Sequence, residues 1–228
     1  MNLETRTCQN CTTPFTIEPE DFLFYEKIKV PAPTFCPECR MMRRLAWTGY
    51  RILYKRKCDF SGEDIITFYH PSAPYKIYRQ DIWWSDKVDN KEQGRDYDFS
   101  KNFFEQLRDL YQTVPLPSLH AEYSTLVNSP YCNAAAQLKN CYLCFRADRS
   151  EDCAYLHFIS FLKDCLDATY AFSSELSYEI LDVNKCFKTL YSQGCDDSHD
   201  IYFSRDLSGC SYCIGCINLR NKNYYIFN

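Results

Sequence analysis

Two pairs of cysteines carry the strongest chemistry in this 228-residue chain. Cys8 and Cys11 form one C-x-x-C, Cys36 and Cys39 form a second, and 24 residues separate them. Each pair closes a tight knuckle that turns two thiolates toward one cation, and two knuckles complete a tetrahedral four-sulfur shell with Zn–S near ~2.3 Å. Four thiolates leave no open coordination position, so the spacing predicts one structural zinc rather than a catalytic one. A segment of about 40 residues lacks the core to fold alone, so the metal must supply much of its stability.

The remaining cysteines read differently. Fifteen is an odd number, and MNLETRTC has no apolar export segment. Buried thiols in a reducing compartment, the cytoplasm, are therefore expected before disulfides. No stretch is long and apolar enough to span a membrane. Cys195, Cys210, Cys213 and Cys216, with His199 nearby, could form a second metal site. On a strand of period 2, however, Cys210 and Cys213 face opposite ways unless a turn intervenes, so buried thiols are the better reading. The four histidines, His70, His120, His157 and His199, share no motif with a cysteine or serine. Asp96 and Asp98 precede a helix, where capping explains them, and Asp196, Asp197 and Asp200 lie in a turn. Six glycines leave no Gly-rich phosphate loop and no dinucleotide fingerprint. No catalytic residue is assigned.

The net charge of −4 argues against nucleic-acid binding over the whole surface. One local exception exists, because residues 40 to 57 hold seven bases and no acid. Arg40, Arg43, Arg44, Arg51, Lys55, Arg56 and Lys57 alternate there with Trp47, Tyr50 and Tyr54, which suits phosphate contact and base stacking. A solvated face paired with the acids of 18–26 and 59–64 competes with that reading and is favoured over it. Cys58 has no partner within ten residues and reads as a turn cysteine or buried thiol.

These residues must be positioned by three regions: 1–47, the zinc-binding segment with a basic helix from Cys36 through Leu45; 48–119, a connecting region; and 120–228, a cysteine-rich repeat. In the connecting region Ser100 can cap an amphipathic helix through Gln112, stopped by Pro115 and Pro117. That helix is expected to cap the repeats. In the repeats, Cys141, Cys165, Cys186 and Cys210 are spaced 24, 21 and 24, with a half-period near twelve. The fold class predicted is mainly β, with a C-terminal parallel β-solenoid of about 22–24 residues per coil and short strands between Asn, Asp and Ser turns. Cys141, Cys165, Cys186 and Cys210 would form one inward ladder, and Cys144, Ala168, Thr189 and Cys213 a second. Tyr224, Tyr225, Ile226 and Phe227 are expected to meet a second copy of the chain or to be continued by further residues.

The run CQNCTTPFTIEPEDFLFYEKIKVPAPTFCPECRMMRR resembles the probable zinc-ribbon domain of bacteria in its paired cysteines and in Phe15, Phe24, Tyr25, Pro33, Arg40 and Arg43. The resemblance implies a treble-clef-like ribbon, with a hairpin between the knuckles and a helix starting at the second pair. The remainder, including KRKCDFSGEDI and DIWWSDK, is similar to bacterial proteins that carry this ribbon at their N-terminus. The first functional reading is a zinc-binding, non-catalytic interaction protein whose ribbon and solenoid bind a protein partner. Nucleic-acid binding through 40–57 is the alternative. A β-helix enzyme stands third, because half-repeats near twelve residues leave no chain for the long loops such enzymes need.

Overall fold

A computed structural model describes residues 3–228. Contacts divide the chain into two compact units, Met1–Gly49 and Tyr50–Asn228. No helix among the described residues is long and apolar enough to cross a membrane.

The first unit pairs β1 (Glu4–Thr7) with β2 (Pro14–Ile17) as an antiparallel hairpin. Helix α1 (Pro19–Lys27) follows, with Pro at its start and a reciprocal Glu18–Asp21 capping box. Helix α2 (Pro37–Leu45) begins at the second cysteine pair, as the sequence predicts. The expected hairpin between the knuckles is instead a hairpin that carries the first knuckle in its own turn, and α1 occupies the interval. Phe15 and Ile17 alternate inward from β2 and pack on Cys8, Cys36 and Cys39, a core so small that the sulfurs form most of it.

The second unit opens with the hairpin β3 (Tyr54–Lys57) and β4 (Asp64–Thr67), then β5 (Ile77–Tyr78), the one-turn helix α3 (Gln80–Trp83) and α4 (Phe103–Thr113). Asn102, not Ser100, caps α4, because its Oδ1 accepts the Phe104 N–H at 2.8 Å. Ser100 is held in a turn by Asp98, which accepts both its N–H and its hydroxyl. The helix does not cap the repeats. None of its residues is buried, and Tyr111 rests on Tyr75 of the preceding segment. The first coil is met by the chain after the helix, where β6 (Leu116–Pro117) pairs with β5 and His120 and Glu122 bond to Ala135.

From there a nine-stranded parallel sheet runs in sequence order. Its strands are β7 (Leu126–Val127), β8 (Asn133–Lys139), β9 (Tyr142–Glu151), β10 (Ala154–Ser160), β11 (Leu166–Phe172), β12 (Tyr178–Asn184), β13 (Phe187–Asp196), β14 (His199–Tyr202) and β15 (Ser211–Ile214). Tyr142 lies opposite Ala154, Ala154 opposite Leu166 and Leu166 opposite Tyr178. The solenoid is therefore built of twelve-residue coils, and the expected 22–24 residues correspond to two coils. The longer interval stands out in the sequence because cysteines recur at alternate coils, while the pairing depends only on the half-period.

Within a coil every third residue points inward, as in Cys141, Cys144, Ala147, Ser150 and Cys153. The residue before each inward position has positive φ, for example Asn140 (53°), Leu143 (52°), Arg146 (51°) and Arg149 (46°). A left-handed residue turns the chain, so four three-residue sides close one coil and an inward residue follows each corner. Asn, Asp and Gly recur at these corners because they adopt that conformation at least cost. Where Phe, Tyr or Lys occupies one, roughly 1–2 kcal/mol of strain must be offset by the ladder. Stacked rings contribute to that offset: Tyr191 on Phe203 at 5.1 Å and Tyr212 on Tyr224 at 4.9 Å, each pair one coil apart and almost parallel.

Candidate metal centre

Cys8 directly follows β1, Cys11 lies in the β1–β2 turn, Cys36 caps α2, and Cys39 lies in the first turn of that helix. Their four sulfurs lie within 4.8 Å of one another. Cys11 Sγ and Cys36 Sγ are 3.7 Å apart, far beyond a disulfide bond and close to the edge of about 3.8 Å that a tetrahedron with ~2.3 Å metal–sulfur bonds requires. Backbone and side-chain donors aim at the same sulfurs: Cys36 N–H at Cys8 Sγ (3.2 Å), Cys39 N–H at Cys36 Sγ (3.5 Å) and the Asn10 amide at Cys39 Sγ (3.4 Å).

The electrostatics agree with that donor set. Burial works against the Cys8 thiolate, but N–H groups from Cys11, Cys36 and Asn10 outweigh it and bring its pKa down to about 6. At Cys36 the Cys39 N–H favours the thiolate, yet burial and the three neighbouring sulfurs push the pKa up to about 12. Four sulfurs this close cannot all ionise without a cation among them, and a bound divalent metal would remove the conflict. The chain brings all four predicted ligands together, and they could hold a metal ion with no position left for substrate or water. Asn10, a donor to the site, carries no signal in the spacing beyond its place inside the knuckle.

No second group of this kind occurs among the described residues. Cys210, Cys213 and Cys216 all face inward, because left-handed Tyr212 and Gly215 supply the turns that a flat strand lacks. They therefore project from successive sides of the coil, and Cys195 is buried on another side while His199 stays on the surface. Burial pushes the Cys186 and Cys195 thiols up to about 11 and about 12, which keeps them protonated. All the cysteines of both predicted ladders are buried. Cys141 and Cys165 share one column, but Cys186 and Cys210 belong to a different one, since 21 is not a multiple of twelve.

The basic residues are distributed over both units. Arg40, Arg43 and Arg44 lie on α2, with the Arg43 guanidinium 4.9 Å from the centre of the Phe35 ring. Arg51, Lys55, Arg56 and Lys57 belong to the second unit. Arg56 pairs with Asp59 at 3.1 Å and Lys57 with Asp64 at 2.8 Å, the solvated-face pairing set against nucleic acid above.

One surface feature has no counterpart in the sequence reading. The outward column Tyr142, Ala154, Leu166, Tyr178, Leu190, Tyr202, Ile214 and Ile226 is apolar at every rung. Counting in twelves from Tyr142 would have found it. No family model matches the chain, and no curated protein matches it either.

Proposed function

We propose that the chain is a zinc-stabilised, non-catalytic interaction protein that binds a protein partner along one side of its solenoid. The observation that supports this most is the uncharged outward column. Its eight rungs, stacked at ~4.8 Å, cover about 34 Å. Contiguous exposed apolar surface of that extent marks an interaction site in soluble proteins. Another side of the same coils is built oppositely: Lys139, Glu151, Lys163 and Glu175 alternate in register, and Lys139 bonds directly to Glu151. That side sets opposite charges one coil apart, whereas the apolar column has nothing within its coils to cover it.

Zinc is the ion that suits the ribbon, because a closed thiolate tetrahedron selects zinc or iron and a structural role needs no redox chemistry. The ribbon resemblance supports the same choice. The test is affinity capture with nuclease treatment at about 0.1 and about 0.5 M salt. A protein partner retained at high salt, and lost from a folded Leu190→Lys, Tyr202→Lys variant, supports the reading. Capture that is nuclease-sensitive and salt-labile transfers the function to the basic residues, and capture indifferent to the double variant removes the column.

A further inference from the structure

The hairpin that opens the second unit repeats the hairpin of the metal centre fifty residues later, Cys8 to Cys58. Strands β3 and β4 pair in the register of β1 and β2, with Tyr54 opposite Thr67 as Glu4 is opposite Ile17. Cys58 donates its N–H to Glu63 O at 2.8 Å, as Cys8 does to Thr13 O at 3.0 Å. The equivalent turn residues Gly62 and Thr12 are both left-handed, with φ of 73° and 62°.

Past the hairpin the offset falls to forty-three, because α1 has no counterpart between β4 and β5. Asp59 then donates to Ile77 O at 3.0 Å where Gln9 donates to Thr34 O at 2.9 Å. Arg56 donates to Tyr75 O at 3.1 Å where Arg6 donates to Ala32 O at 3.4 Å. Most tellingly, the Arg79 N–H points at Cys58 Sγ at 3.3 Å where the Cys36 N–H points at Cys8 Sγ at 3.2 Å. Helix α3 starts one residue after Arg79, as α2 starts one residue after Cys36.

Cys58, Ser61, Arg79 and Ile82 thus stand where the metal centre has Cys8, Cys11, Cys36 and Cys39. We propose that residues 54–83 are a second metal knuckle that has lost its ion and now folds without one. Ile82 is buried with Cys58, Ile65 and Ile77, so an aliphatic side chain fills the position of the fourth sulfur. Arg79 carries its charge away from the old site to Asp81 at 2.8 Å and to Glu63. One thiol without three thiolate neighbours needs no cation, and apolar contact supplies the cohesion that coordination supplies in the first copy. The metal-free copy is also the one from which the solenoid starts, through the pairing of β5 with β6 and the Gln80 side chain bonded to Leu119 O. Metal dependence is thereby confined to the first unit.

The inference rests on the metal reading of Cys8, Cys11, Cys36 and Cys39, and cobalt(II) titration of the full chain separates the two. The unmodified chain takes one cobalt with tetrahedral thiolate absorption; none at all overturns the reading of the first site. The Ser61→Cys, Arg79→Cys, Ile82→Cys variant takes two, whereas Ser61→Cys alone, which offers only two sulfurs, takes one. A folded triple variant that still holds a single cobalt overturns the inference. Should the triple variant fail to fold, Ser61→Cys with Arg79→Cys keeps Ile82 in the core and still offers three sulfurs, and a folded double variant with no added absorption is equally fatal. Hydrogen exchange of the unmodified chain decides without any substitution. On chelation the amides of β3 and β4 keep their protection while those of β1 and β2 lose theirs, and loss in both hairpins overturns the inference.

Discussion

Cys36 holds two roles at one position, since its sulfur belongs to the four-cysteine cluster and also accepts the Cys39 N–H as the N-cap of α2. Serine caps helices well but ligates zinc poorly, so Cys36→Ser keeps the cap and removes the ligand. Bound metal, measured on purified protein, should fall from one per chain to none, whereas Cys165→Ala should leave it at one. Cys165 is an inward solenoid thiol, and truncating it should cost about 1–2 kcal/mol in a denaturant titration. Inward serines matter by another route. Ser198 donates to Asp196 O at 2.8 Å and accepts the Cys210 N–H of the next coil at 3.0 Å, so Ser198→Ala strands two buried groups and should cost about 1–3 kcal/mol. The paired knuckles were legible because four sulfurs that could share one metal ion need that spacing. The thiol ladders were legible as small inward residues, but the serines read as turn residues and are instead buried inside the coils, because the hydrogen bonds that hold them depend on a register that no single segment reveals.

Two histidines give the second unit a pH dependence. His120, against the Phe68 ring at 4.6 Å, has its pKa lowered by burial, and His157 has its pKa lowered by burial and by Arg51 and Arg146. Both are held neutral in the fold while the unfolded chain protonates near pH 6.5. Their contribution is therefore complete above about pH 6.5 and is lost as the pH falls through the folded values. Between about pH 7 and 5, His120→Gln should flatten the fall in melting temperature of the sheet signal. An unchanged slope would place the protonation elsewhere.

At the scale of elements, the distinctive unit is a three-residue side ended by a left-handed corner. Period-2 alternation, the usual reading of a strand, misses it. The pattern Cys210, Cys213, Cys216 looks incompatible with one inward face until the corners at Tyr212 and Gly215 are supplied. Gly215 shows what a corner demands. With φ of 63°, a Cβ added there would lie 2.8 Å from the Phe227 ring of the next coil. At Lys185 the same corner (φ 50°) is held by a residue that gains nothing from a left-handed conformation. Glycine relieves that strain, although it also loosens the unfolded chain. Lys185→Gly should therefore stabilise the fold by roughly 0.5–1 kcal/mol, read as a rise in the midpoint of thermal unfolding. Destabilisation would mean that the corner is not left-handed. Helix α4 shows the opposite limit of sequence reading: its amphipathic pattern located it to within three residues, but the pattern said nothing of what it would cover.

For the molecule as a whole, cohesion comes from different sources in the two units. The first has a handful of buried residues, three of them from the four-cysteine cluster, and so little apolar area cannot hold about 45 residues against chain entropy. The second has a continuous inward stack from Cys132 to Cys216 and a parallel ladder that bonds each coil to the next. A strong chelator such as EDTA, added to the folded 228-residue chain, should therefore abolish the stability of the first unit alone. Limited proteolysis in chelator should cut within residues 3–49 and leave a resistant fragment that begins near Tyr50 and keeps the β-sheet circular dichroism. With zinc restored before protease is added, the first unit should regain its resistance. Loss of the sheet signal on chelation would instead show that the solenoid depends on metal. Resistance of residues 3–49 in chelator would show that the first unit stands on its apolar contacts, and that the four cysteines are packing residues rather than ligands.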